Sequence, residues 1–140
     1  MTEREYGEDI VEAHWPYDGP HDDWTVSSAG AAVSQLVRYM NNATQPGIAE
    51  RTLPYARNVD QLLGSLAGAV YGLGQLFDQL RDATLAHAED TSLYDDRRDR
   101  PGRDTALLLT DDLLAIRKRV GMLAASIDAA RKHSNHLGHS

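Results

Sequence analysis

The sequence predicts an all-α protein, an antiparallel helical bundle whose three main helices cover about residues 27–44, 54–86 and 104–132. Three observations predict it. Apolar residues recur in alternating steps of three and four along each segment, the period of helices that pack knobs into holes. Pro46-Gly47 and Pro101-Gly102 break the chain between those segments. No stretch of strand length alternates apolar and polar residues.

The first helix is expected from Ser27 or Ser28, either of which can cap the free amides of a first turn, with Ala29, Val33, Leu36, Met40 and Ala43 on one face. The second opens near Pro54, a favoured first-turn residue, and carries Val59, Leu62, Leu66, Ala69, Leu73, Leu76, Leu80 and Ala83 as its inward stripe; Leu63, Val70 and Phe77 widen that stripe on one flank. The third starts at Asp104 or Thr105 and places Ala106, Leu109, Leu113, Ile116, Val120, Leu123, Ile127 and Ala130 inward. Residues 90–103, where Arg97, Arg98, Arg100 and Arg103 interleave with Asp95, Asp96 and Asp99, read as a solvated loop. Residues 1–24 read as an acidic, aromatic N-terminal arm in front of a bundle domain over 25–140. Ile10, Val11 and Trp15 mark a short helical stretch within the arm, from about Glu5 to Trp15.

Charge is concentrated in the arm. Residues 1–24 hold eight acids and one arginine, a sum of -7, while the remaining residues hold thirteen acids and thirteen bases. A neutral body with an acidic arm argues against non-specific nucleic-acid binding, which draws its affinity from neutralised phosphates. The chain has no cysteine, so disulfides and thiolate ligands are excluded. No apolar run reaches the roughly 20 residues of a membrane span, and none of signal-peptide length follows the acidic start. The expected location is the cytoplasm.

Two surfaces stand out as partner-binding candidates. Gly64, Gly68 and Gly72 recur every four residues on the second helix, with Gly74 beside them. Interior glycines cost about 1 kcal/mol each against alanine, so close approach of another helix is the expected compensation. In the arm, Trp15, Tyr17 and Trp24 among acids have the chemistry of interface anchors. Helix lengths add a reason for partners. The second and third helices span roughly 45 Å and the first roughly 25 Å. The uncovered apolar groove then awaits the arm, a second copy or another protein, a second copy being favoured.

Catalytic and metal signals are sparse. His133, His136 and His139 are spaced by three near the C-terminus, where a solvated tail is the simpler reading, and no metal or cofactor is expected. The helical carboxylates Asp60, Asp78, Asp82, Asp111, Asp112 and Asp128 do not form a di-iron ligand set, and the glycines are not followed by the Lys-Ser or Lys-Thr of a phosphate loop. Arg131-Lys132-His133-Ser134-Asn135-His136 looks like the Arg-x4-His signature of HEPN ribonucleases, which are small helical bundles. That resemblance implies His136 as acid or base and Arg131 as the phosphate-stabilising group; HEPN signatures commonly carry Asn, Asp or His where this chain has Lys132.

Leu36-Val37-Arg38-Tyr39-Met40-Asn41-Asn42-Ala43-Thr44, Leu53-Pro54-Tyr55 and Leu62-Leu63-Gly64-Ser65-Leu66 together resemble small helical proteins of high-GC Gram-positive (actinobacterial) bacteria and their mobile elements. The resemblance implies an all-helical fold in a mobile-element or phage setting and carries over no functional residue. The expected function is that of a non-enzymatic interaction or scaffold protein. It would self-associate as a dimer and meet another protein through the arm or the glycine face, with no membrane contact. Two alternatives stay open: a HEPN-like ribonuclease using Arg131 and His136, and a nucleic-acid accessory factor using Arg97, Arg98, Arg100 and Arg103.

Overall fold

The computed structural model describes residues 4–140 and is all-α, with the expected short arm helix, three main helices and one further short helix. The helices are α1 (Gly7–His14), α2 (Asp23–Ala43), α3 (Ala49–Thr52), α4 (Ala56–Ala88) and α5 (Gly102–Ser134). Among the described residues the one extended pairing is an isolated bridge between Tyr94 and Pro101, and no helix is long and apolar enough to cross a membrane. The chain divides after Leu53 into two compact units. The boundary expected between residues 24 and 25 lies within the first turn of α2.

In the first unit, α2 starts earlier than Ser27. Asp22 accepts a hydrogen bond from the Thr25 amide at 2.8 Å, and the Asp22 amide donates to the Thr25 hydroxyl oxygen at 3.0 Å. This reciprocal capping box satisfies two helix-end donors at once, so neither serine is needed as a cap. Trp24 therefore belongs to the first turn of α2. The C-terminal end of α2 is closed from α3, where the Thr52 hydroxyl donates to the Ala43 carbonyl at 2.7 Å. No residue of α1, α2 or α3 is buried.

In the second unit, α4 and α5 pack as a long antiparallel pair. Their contact face overlaps the expected stripe but is centred on the flank that Leu63, Val70 and Phe77 widen, all three half-buried, with Leu62, Leu66 and Leu73 half-buried beside them. On α4 the seam runs through Asp60, Leu63, Ala67, Val70, Gly74, Phe77, Arg81 and Ala88, one residue beyond the expected row and so about 100° around the helix. Ala67, Gly74 and Ala88 are its buried members, while Val59, Leu76 and Leu80 of the expected stripe stand exposed. On α5, Ala106 and Leu113 are buried as expected, but the Thr110 side of the helix replaces Leu109 in the contact, and Leu109 and Leu123 are about half exposed. Small residues alternate along the seam with the half-buried Leu63, Val70 and Phe77, and polar side chains complete it.

The connection between the helices is exposed, as expected of a solvated loop, except at Asp95 and Gly102, and it is ordered around the one buried carboxylate. Asp95 accepts from the Arg97 amide at 2.9 Å, from Arg97 Nε at 3.1 Å and Nη2 at 2.9 Å, and from the Thr105 hydroxyl in the first turn of α5. Arg98 adopts φ 60° and lies over the Tyr94 ring at 4.1 Å. Gly102 starts α5, ahead of the expected Asp104 or Thr105, because the loop folds directly against it: a Cβ there would sit 2.6 Å from the Leu93 carbonyl oxygen.

Gly102→Ala is expected to destabilise the protein by about 1–3 kcal/mol, the usual cost of overpacking a rigid site. Gly68→Ala, whose Cβ would meet nothing within 4 Å, is expected to add up to about 1 kcal/mol through helix propensity. Urea unfolding of the two variants beside wild type checks both signs.

Candidate functional site

The chemistry of the second unit is concentrated on the α4–α5 seam and on the faces beside it. Asp60 accepts from the Ser134 hydroxyl at 2.6 Å and from Arg131 Nε at 3.4 Å, joining the start of α4 to the end of α5. Asp78 accepts from Arg117 Nε at 3.1 Å farther along the pair. Each arginine lies across a glycine of α4, with Arg131 Nη2 3.1 Å from where a Cβ of Gly64 would be and Arg117 Cζ 2.9 Å from that of Gly74. Gly64 and Gly74 leave room for these guanidinium groups.

The expected glycine line therefore divides. Gly64 is taken up by the seam, Gly68 and Gly72 are exposed with nothing near them, and Gly74, off that line, is the buried one. In the other unit, Trp15 is half-buried with its ring 5.9 Å from that of His14, whereas Tyr17 and Trp24 are 86% and 78% exposed. The Tyr17 amide donates to Glu12 Oε2 at 3.2 Å, folding the segment after α1 back onto that helix.

Arg131 and His136 are not brought together by any hydrogen bond among the described residues. Arg131 is engaged by Asp60, and His136 is exposed beyond the α5 C-cap at Asn135. The C-terminal histidines form no metal-binding group with neighbouring acids among the described residues. The tail after α5 is exposed, as expected, and His139 makes one contact from it. Its Nε2 accepts the Ala56 amide at 3.0 Å and its ring meets Tyr55 edge-on, so the tail caps the N-terminus of α4.

An open cleft of about 540 Å³ beside the α4–α5 connection is lined by Glu89, Asp90, Tyr94, Arg98, Arg100 and Arg103. Its arginines are held among acids and an aromatic ring: Arg100 is 3.8 Å from Asp99, Arg103 is 3.9 Å from Glu89, and Arg98 covers Tyr94. Arg97 is bound to Asp95.

The Arg97 guanidinium holds the Asp95 carboxyl well below the usual carboxylate range, with the Thr105 hydroxyl and the Arg97 amide adding to the effect. Asp60 is lowered chiefly by the Ser134 hydroxyl and then by Arg131, and Asp90 by Ser92. No family model, curated protein or solved structure matches this chain.

The outward turn of apolar side chains is what the apolar stripe does not disclose. Leu108, Leu109, Met122 and Leu123 of α5 are each about half exposed or more, although Leu109 and Leu123 belong to the expected core stripe. A signal for it lies in Thr110, Arg117 and Arg131, polar residues seven and fourteen apart that mark a second face with its own partner.

Lowered carboxylate pKa values stabilise the fold wherever the unfolded carboxylates would also be ionised. That contribution is complete above the unfolded value of about 4 and is lost as the pH falls through the folded values. Thermal midpoints of wild type and Asp95→Asn measured down the acid range are expected to converge below about pH 4. A gap that does not change with pH would show that the ionised carboxylate is not what the loop uses.

Proposed function

We propose that the protein is a non-enzymatic helical interaction module that associates with copies of itself through the outward faces of the α4–α5 pair. The observation that carries this reading is the poverty of the core. Among the described residues the buried apolar ones are Ala67, Ala88, Ala106 and Leu113, and no large side chain is fully buried. The large aliphatic residues that would ordinarily supply a core are displayed instead: Val59, Leu76 and Leu80 on α4, and Leu108, Leu109 and Leu123 on α5. Exposed apolar rows of this extent mark protein contact surfaces, and helical pairs commonly bury them by assembling into larger bundles.

The polar sites lend less to the alternatives. Arg131 of the ribonuclease signature is already paired with Asp60. The four loop arginines are interleaved with acids or held against Tyr94, which leaves little uncompensated charge for phosphates.

Light scattering after size exclusion of the full chain is expected to show a discrete oligomer that dissociates on dilution. Leu123→Lys is expected to weaken it by about tenfold or more, the loss from withdrawing one leucine from an apolar contact. A wild-type protein that stays monomeric at high concentration and unfolds cooperatively would overturn the reading.

A further inference from the structure

The outer face of α5 has an arrangement that fits a second copy of itself, and we infer that two chains pair through antiparallel α5 helices about a two-fold axis between Ala115 and Ile116. The inference rests on the self-association reading and specifies its interface. Leu108, Asp112, Ala115, Arg119 and Met122 follow one another at steps of four, three, four and three, so they form one seam along the helix. Leu109, Ile116 and Leu123 line its edge. Leu108, Leu109, Met122 and Leu123 are 50%, 48%, 70% and 50% exposed, and Asp112, Ala115 and Arg119 are exposed between them.

The face reads alike from both ends. Asp112 lies four residues from Leu108 and three from Leu109, while Arg119 lies four from Leu123 and three from Met122. Turning one helix over and laying it against another therefore sets Asp112 opposite the partner's Arg119 in the middle of the face, Leu108 beside the partner's Met122 on one flank, and Leu109 beside the partner's Leu123 on the other. Charge complementarity is thus reciprocal, as an isologous contact requires. It is also unspent within the chain: neither Asp112 nor Arg119 makes an ion pair among the described residues, unlike Asp60, Asp78, Arg117 and Arg131. From Leu108 to Leu123 the contact runs about 22 Å, four turns of helix. The charges in its middle hold the register that the flanking leucines alone would leave free to slide.

Charge exchange tests the pairing. Asp112→Arg places arginine against arginine twice in the dimer, and Arg119→Asp places aspartate against aspartate. Each is expected to raise the dissociation constant about tenfold or more, and the double exchange Asp112→Arg/Arg119→Asp to return it to near the wild-type value. Because the chain has no cysteine, Ala115→Cys is a clean reporter. It sits beside the two-fold axis and is expected to form a covalent dimer under mild oxidation, whereas Ser126→Cys, held about 30 Å from its own copy, is expected not to. An oligomer that ignores the charge exchanges and leaves Ala115→Cys uncoupled would overturn this interface while leaving self-association standing. A single exchange that weakens the oligomer without rescue by the double exchange would overturn the reciprocal pairing. A monomeric wild type would overturn both readings.

Discussion

The register of α4 against α5 depends on two arginines that cross the seam. Arg131 spans Gly64 to reach Asp60, and Arg117 spans Gly74 to reach Asp78, with glycine and aspartate four residues apart in each case and so one above the other on the helix. A side chain at either glycine would meet the guanidinium, and a slip of one helical turn would part both ion pairs. Each interior glycine costs the isolated helix about 1 kcal/mol, and at Gly64 and Gly74 a side chain would have to displace the tip of an arginine. Ser134 adds a hydrogen bond to Asp60 and anchors the last turn of α5 beside the first turn of α4.

This seam shows why the helices are legible in the sequence and the centre of their contact less so. Apolar periodicity locates all three long helices to within a few residues, because three-four alternation sustained over about 20–30 positions matches a helix and no strand or loop. The same periodicity records the sum of every contact that a helix makes. On α4 the expected leucine row and the seam row through Leu63, Ala67, Val70, Gly74 and Phe77 lie about 100° apart. The hydrophobic signal selects the leucines, although the neighbour within the second unit sits against Ala67, Gly74 and Ala88. The four glycines of α4 suggest a close approach by their spacing and their cost, and only Gly64 and Gly74 have one. Nothing in that spacing says that the approaching groups are guanidinium groups from α5, since the arginines lie more than forty residues away in the chain.

Helix ends and the long connection are less legible for a related reason. Both are governed by hydrogen bonds between specific groups and not by a repeating pattern. Asp22 and Thr25 form a box ahead of the two serines that have the chemistry of caps, and Asp95 reaches across ten residues to Thr105. An aspartate among alternating acids and arginines gives no sign in composition that it is the buried one. His139 is similar: its neighbours suggest a solvated tail, yet its ring nitrogen closes the amide end of α4 across a sequence gap of 83 residues.

A seam in which alanine, glycine and paired charges alternate with a few half-buried large side chains is well suited to choosing one partner helix and one register, and poorly suited to supplying most of the stability. Ion pairs that stay partly in water contribute little, and small side chains bury little apolar area. The aliphatic area that could make up the difference lies on the outside of the pair, in Leu76 and Leu80 of α4 and in Leu108, Leu109 and Leu123 of α5. On the self-association reading the two roles are divided between faces: the inner seam specifies how the hairpin closes, and the outer face supplies burial once a second chain arrives. Folding stability and association would then rise together with concentration, as mass action requires of a chain whose native contacts are shared between copies.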